Sequence, residues 1–253
     1  MYRLAGYSDY EKGNYDLALR ELTKFFKLTT DPKKILGSDY EYMGKVMQKE
    51  ANDSLAVINF QKAIDIDTSK KSLYGDIALM QYSHKKYKDA AKYYDLAAKN
   101  TKNASVQIQD YYKVGLSYYL DSTYKKADTA FMNIIQLSPT WPIGYLWRAR
   151  SNLNTDSMVH GPSIPYYLKV IETAIPDSMK YQNYLDKGMR DSIKYRKELI
   201  ESFSYLGNYN LLNGRYDVAS YYYNKVLALD PANADVKKNL DWIINARKSQ
   251  KKK

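Results

Sequence analysis

Apolar and polar positions along the chain recur at helical spacing, and a small set of positions recurs with them. Ala18, Ala56, Ala90, Ala127 and Ala219 each follow a polar stretch, and four of them have a tyrosine three residues earlier: Tyr15, Tyr87, Tyr124 and Tyr216. The copy around Ala56 is degenerate. Twelve residues before each alanine stands a small residue (Gly6, Gly44, Ala78, Gly115, Gly207), and four residues after it a bulky one (Leu22, Phe60, Tyr94, Phe131, Tyr223). Two helices pack closely only where neither carries a large side chain, so each small residue is expected to face the alanine of the next helix, with the bulky one filling the space between adjacent hairpins. Pro139 and Pro231 fall twelve residues after an alanine, where the second helix must end because proline cannot continue it.

The alanines are spaced by 38, 34 and 37 residues over the first four copies, close to the roughly 34-residue period of a two-helix repeat. The surplus falls in connections near 29–37 and 100–107. A divergent hairpin is expected from Ile143 to Leu153 and Ile164 to Ala174, joined by the turn-forming run Asn154 to Ser163 and ended by Pro176. Residues 177–199 exceed the repeat. Asp177 and Asp191 are candidate N-caps there, the second for a long helix running through Gly207 to Leu212. From Asp235 to Arg247, Val236, Leu240, Ile243 and Ile244 form an apolar stripe, as in a capping helix over the last hairpin.

The order of small residue, turn, Tyr, Ala, aromatic and Pro resembles the tetratricopeptide repeat, over nearly the whole chain. The resemblance implies an all-α, right-handed solenoid in one domain, 1–253, with hairpins near 1–30, 38–68, 72–100, 108–138, 142–175 and 191–231. A capping helix at 233–247 and a basic tail at 248–253 complete it. Gly6 lies sixth where the family pattern places its residue eighth, so the first repeat is expected to be cut from a longer chain. The Tyr-, Lys- and Asn-rich character, with the segments Gly144 to Arg150 and Pro165 to Tyr167, is similar to tetratricopeptide proteins of Bacteroidetes bacteria.

In that family the first helices line a concave groove, which would place Arg3, Tyr7, Tyr10, Lys45, Gln48, Tyr82, Tyr112, Leu116, Tyr119, Leu146 and Arg150 against a bound peptide, with Glu41, Leu79, Leu153, Ser204, Asn208 and Leu211 on the same face. Tyr and Arg are common interface anchors because they combine contact area with hydrogen bonding. One branch of the family grips a terminal carboxylate with Lys, Asn, Asn, Lys and Arg. Arg3 and Lys45 could take two of those places, but Tyr7 stands where Asn is required and the third helix offers Ser72 and Asp76, so that clamp is not kept.

Composition adds exclusions. With 45% hydrophobic residues in 253 the chain can bury a core, and the absence of cysteine removes disulfides and thiolate metal sites. His84 and His160 are the only histidines, His84 in a hairpin turn and His160 in the Gly-Pro loop; no His-based triad or zinc site assembles. No glycine-rich phosphate cradle occurs. Asp65 and Asp67 match the ordinary end of a second helix, as at Leu229-Asp230-Pro231. Asn52 and Asn103 begin glycosylation-like triplets assigned to turns. No catalytic residue, metal or cofactor is expected, and the chain is read as a non-catalytic scaffold for a protein or peptide.

The net charge is +11, five of it from Arg247, Lys248, Lys251, Lys252 and Lys253; elsewhere acids and bases alternate, as on a solvated surface. Binding of nucleic acid or an anionic surface through these basic residues is the alternative, and the interaction arm of a larger envelope-associated protein a third. No apolar run of membrane-spanning length or signal peptide occurs, so a soluble chain is expected, cytoplasmic as given or periplasmic if a leader preceded it.

Overall fold

A computed structural model describes residues 1–154, 161–175 and 194–250. Among them are thirteen α-helices and no strand, and consecutive helices pack as hairpins. The expected connection across 155–160, Pro176, Asp177, Asp191, His160 and the last three lysines lie outside the described residues.

The helices fall into two compact units, Met1–Asp121 and Ser122–Lys253. The first holds α1 (Tyr2–Glu11), α2 (Tyr15–Leu28), α3 (Gly37–Lys49), α4 (Asp53–Ile66), α5 (Leu73–Ser83), α6 (Tyr87–Asn100) and α7 (Ala104–Leu120). Short 3-10 turns at Pro32–Lys34 and Thr68–Ser72 join successive hairpins. The second holds α8 (Tyr124–Leu137), α9 (Pro142–Leu153), α10 (Ile164–Ala174), α11 (Arg196–Leu212), α12 (Tyr216–Leu229) and α13 (Ala234–Gln250). Polar residues fix several helix starts: Asn52 caps α4 by accepting from the Leu55 amide, and Asn103 caps α7 by accepting from those of Ser105 and Val106. Asp67 plays the same part for the turn that follows α4, accepting from the Ser69 amide.

All five repeat alanines are fully buried. The packing differs from expectation in one respect: Gly6, Gly44 and Gly207 lie under the bulky residues of their own hairpins. A Cβ on Gly6 would sit 2.7 Å from Leu22, on Gly44 2.6 Å from the Phe60 ring and on Gly207 2.5 Å from the Tyr223 ring. The bulky residue four places after the alanine is one helical turn further along the same face, so it lands on the gap the glycine leaves.

The final helix packs Val236 and Ile243 into the core with Leu240 beside them, but Ile244, expected on that stripe, is 50% exposed. At 100° per residue it lies about 80° round from Val236. Tyr223 secures this helix: its hydroxyl donates to Asn208 at 2.7 Å and accepts from Asn239 at 3.1 Å.

The residue two places before each anchor tyrosine, or before Asp53 in the degenerate copy, has left-handed backbone: Gly13, Ala51, Lys85, Ser122 and Gly214, with φ of 81, 55, 59, 59 and 69°. The next amide returns to the helix in a Schellman turn, as from Asn52 to the Met47 carbonyl at 2.8 Å and from Lys86 to Gln81 at 2.9 Å. Only glycine adopts this conformation without a Cβ penalty. Ala51→Gly and Lys85→Gly are therefore each expected to stabilise the fold by about 0.5 kcal/mol, after allowing for glycine's larger unfolded entropy; a urea midpoint that falls in both would contradict this.

Candidate functional site

Helices α1, α3 and α5 open the hairpins of the first unit and α7 is its last helix; most of the residues expected in the groove lie on these four helices. The expected groove begins with aromatics. Tyr7 stacks on Tyr42 with centroids 4.0 Å apart, and Tyr10 meets Tyr42 edge-on at 5.6 Å. The Tyr42 hydroxyl donates to Glu11 at 2.9 Å. Further along, Lys45 donates to Glu41 at 2.7 Å, and Lys70, from the turn before α5, pairs with the other Glu41 oxygen at 2.6 Å. Burial works against the Glu41 charge, but the two lysines outweigh it and hold the carboxyl below its usual range. On α5, burial pushes the Asp76 carboxyl up while Lys45 opposes the shift.

Leu79, one turn beyond Asp76, is 56% exposed. Beside it in the α5 sequence, Tyr82 is half-buried and meets Tyr87 edge-on at 5.3 Å. On α7, Tyr112, Leu116 and Tyr119 are likewise half-buried, and Gln48 on α3 is exposed. The groove expected from the repeat register would thus run past exposed Leu79 and half-buried Tyr82, Tyr112, Leu116 and Tyr119, with Glu41 paired to Lys45 and Lys70.

Four expected groove residues have other work. Arg3 forks onto Asp39, Nε to Oδ1 at 2.7 Å and Nη2 to Oδ2 at 2.9 Å; it also donates to the Lys34 carbonyl and lies over the Phe25 ring at 4.7 Å. Tyr7 donates to Asp39 at 2.6 Å, and burial followed by this bond raises its phenol pKa strongly. Leu146, placed in the groove by sequence, is only 2% exposed and packs with Ala149, Tyr167, Val170, Tyr205 and Leu206 in the core of the second unit. Apolar alone at a first-helix position does not distinguish a groove residue from one turned inward. Arg150 forks onto Glu201 at 2.9 and 2.6 Å and covers the Trp147 ring at 4.6 Å.

Sequence reasoning missed Asp39, Lys70 and Glu201. Asp39 had a readable cue, since it stands three residues after Leu36 at a helix start, where it accepts from the Leu36 amide at 2.7 Å. Glu201, fifty-one residues from Arg150, had none. His84 ends α5 in its exposed turn, 2.7 Å from the Asp53 carboxylate. Among the described residues no cluster of three His, Cys, Asp or Glu could hold a metal.

The chain is 32% identical to the C-terminal part of a TPR repeat-containing protein from Cytophaga hutchinsonii, over 94% of this chain and 86% of that one, with a TM-score of 0.65. The chain belongs to the tetratricopeptide repeat family. Its relative comes from the Bacteroidetes, the group its composition resembles. This tetratricopeptide chain is also similar to PilF of Pseudomonas aeruginosa (18% identity, 94% of each chain, TM-score 0.43) and to MamA of Desulfovibrio magneticus RS-1 (20%, 68% of this chain and 92% of that one, 0.44). No protein-family model and no curated protein matches. As a tetratricopeptide protein it falls in a class of protein-interaction scaffolds. None of its described helices is long and apolar enough to cross a membrane.

Proposed function

We propose that this protein is a non-catalytic scaffold that holds an extended segment of a partner protein along the first-helix face of residues 1–121. The observation that carries this is Leu79, a large aliphatic side chain 56% exposed in the middle of that face. Repeat register assigns Tyr10, Lys45, Gln48, Tyr82, Tyr112, Leu116 and Tyr119 to the same face as Leu79. An isolated exposed leucine needs no explanation, but one set in a strip of tyrosines beside paired charges has the make-up of an interface core with a polar rim. Arg3, Tyr7 and Arg150 serve to hold the hairpins, and Leu146 belongs to the core.

Leu79→Asp tests this, because an exposed position tolerates the change without unfolding. Wild type and variant are used to capture proteins from source-cell lysate at high salt. Burying leucine contributes about 2 kcal/mol, so the retained partner should bind L79D at least about tenfold more weakly. Equal retention would remove the groove from consideration. A catch released by salt and sensitive to nuclease would instead favour the electrostatic alternative based on the +11 charge.

A further inference from the structure

Asp39 and Asp110 hold the same place in the repeat, each five residues before the small residue of its helix, Gly44 and Gly115. Both are buried acids, 0% and 8% exposed. At Asp39 the preceding hairpin supplies its partners: Arg3 forks onto the carboxylate and Phe25 backs the guanidinium. In the preceding hairpin of Asp110 the corresponding residues are Gly75, three before Ala78 as Arg3 is three before Gly6, and Ala97, seven after Ala90 as Phe25 is seven after Ala18. Both large groups have been replaced by small ones. In their place lies a cleft of about 510 Å³ lined by Gly75, Ala97, Thr101, Val106 and Asp110, with Lys71 also on its wall. A Cβ built on Gly75 meets nothing within 4 Å.

From this we infer that the Asp110 cleft is a receptor for an arginine side chain of another polypeptide, which takes the place that Arg3 takes beside Asp39. Among the described residues Asp110 has one polar partner, the half-exposed ammonium of Lys113 at 3.5 Å. A single ammonium at that distance does not use the two oxygens as a guanidinium fork does. Burial raises the Asp110 carboxyl pKa and Lys113 only partly offsets it, as befits an acid short of cationic partners. The cleft has room for a planar group and aliphatic stem. Lys71 would repel an entering cation, so its charge sets a limit on affinity.

Gly75 lies one helical turn before Leu79 on α5, so the cleft is tested with a small probe and not with a partner peptide. Isotope-labelled full chain is titrated with N-acetylarginine methylamide and with its uncharged isostere, N-acetylcitrulline methylamide, following backbone amides by NMR. The arginine probe is expected to give saturable shifts at Gly75, Ala97 and Asp110 with a Kd on the order of 1 mM, and the citrulline probe to bind at least about tenfold more weakly. Asp110→Asn should reduce arginine binding to the citrulline level. Gly75→Arg should supply the guanidinium internally, abolishing probe binding and raising the thermal midpoint by about 4 °C. Lys71→Gln should tighten binding severalfold. Equal affinity for both probes, or no saturable shift at these amides in the wild type, would overturn the assignment. So would a Gly75→Arg chain that stays folded and binds the arginine probe like wild type.

Discussion

Asp39→Ala is expected to destabilise the first unit by about 3 kcal/mol, the largest effect of any single side chain outside the apolar core. The carboxylate is fully buried and accepts four bonds: two from Arg3 at 2.7 and 2.9 Å, one from Tyr7 at 2.6 Å and one from the Leu36 amide at 2.7 Å. Removing it leaves a half-buried guanidinium, a half-buried phenol and a helix-start amide without their acceptor. Arg3 keeps 28% of its side chain in solvent, so part of its loss is recovered by water and the figure falls at the low end for a broken buried pair. The Asp39 carboxylate joins α1 to α3, so the loss should appear first as opening of the N-terminal hairpin. Urea unfolding followed by circular dichroism, with hydrogen exchange of the Leu36 amide, reads both. In a double-mutant cycle Arg3→Ala and Asp39→Ala together should cost less than the sum of the two. Strict additivity, or a loss below about 1 kcal/mol for Asp39→Ala, would show that the network is solvated and not a fastening.

The periodic positions made the fold legible, because helix pairing is dictated by residues a fixed distance apart. Ala18, Ala56, Ala90, Ala127 and Ala219 are buried as a class. Less legible was which neighbour each small residue meets. Spacing places Gly44 and Phe60 on facing helices but does not say whether the ring turns into its own hairpin or the next, and the structure turns it onto Gly44. The candidate site was legible only as a face. Register within α5 assigns Tyr82 to that face, and register within α7 assigns Tyr112 and Tyr119, whereas Arg3, Tyr7 and Arg150 look like interface anchors until Asp39 and Glu201 are seen beside them. A partner on another hairpin leaves no mark within a helical period. The Arg3 and Gly75 contrast was present in the sequence too, but it acquires meaning only once Asp39 is seen to be buried and Asp110 to line a cleft.

Alkaline pH is expected to unfold the chain over a range set by its tyrosines. Burial pushes the phenols of Tyr94 and Tyr223 up to about 12, and Tyr7 and Tyr167 are raised further, by burial and then by Asp39 and Glu201 respectively. An unfolded tyrosine ionises near pH 10. The folded state therefore holds its phenolic protons longer than the unfolded one, so this stability is fully present below about pH 10 and is lost as pH rises from there toward 12. The sign is the same for Lys45, whose ammonium burial disfavours but Glu41 more than restores, raising its pKa. Each unit of raised pKa is worth at most about 1.4 kcal/mol, so several such groups together would remove a few kcal/mol over that window while leaving stability nearly flat between about pH 7 and 9. Tyrosinate absorbance should then rise together with the loss of helical circular dichroism. Tyr223→Phe separates this from general alkaline lability. At neutral pH it should cost about 1 kcal/mol, because Asn208 and Asn239 lose the hydroxyl between them. Phenylalanine cannot ionise, so the variant's stability should fall less steeply above pH 10 and the gap to wild type should close. Parallel curves for the two proteins across the alkaline range would mean that Tyr223 ionises as easily folded as unfolded.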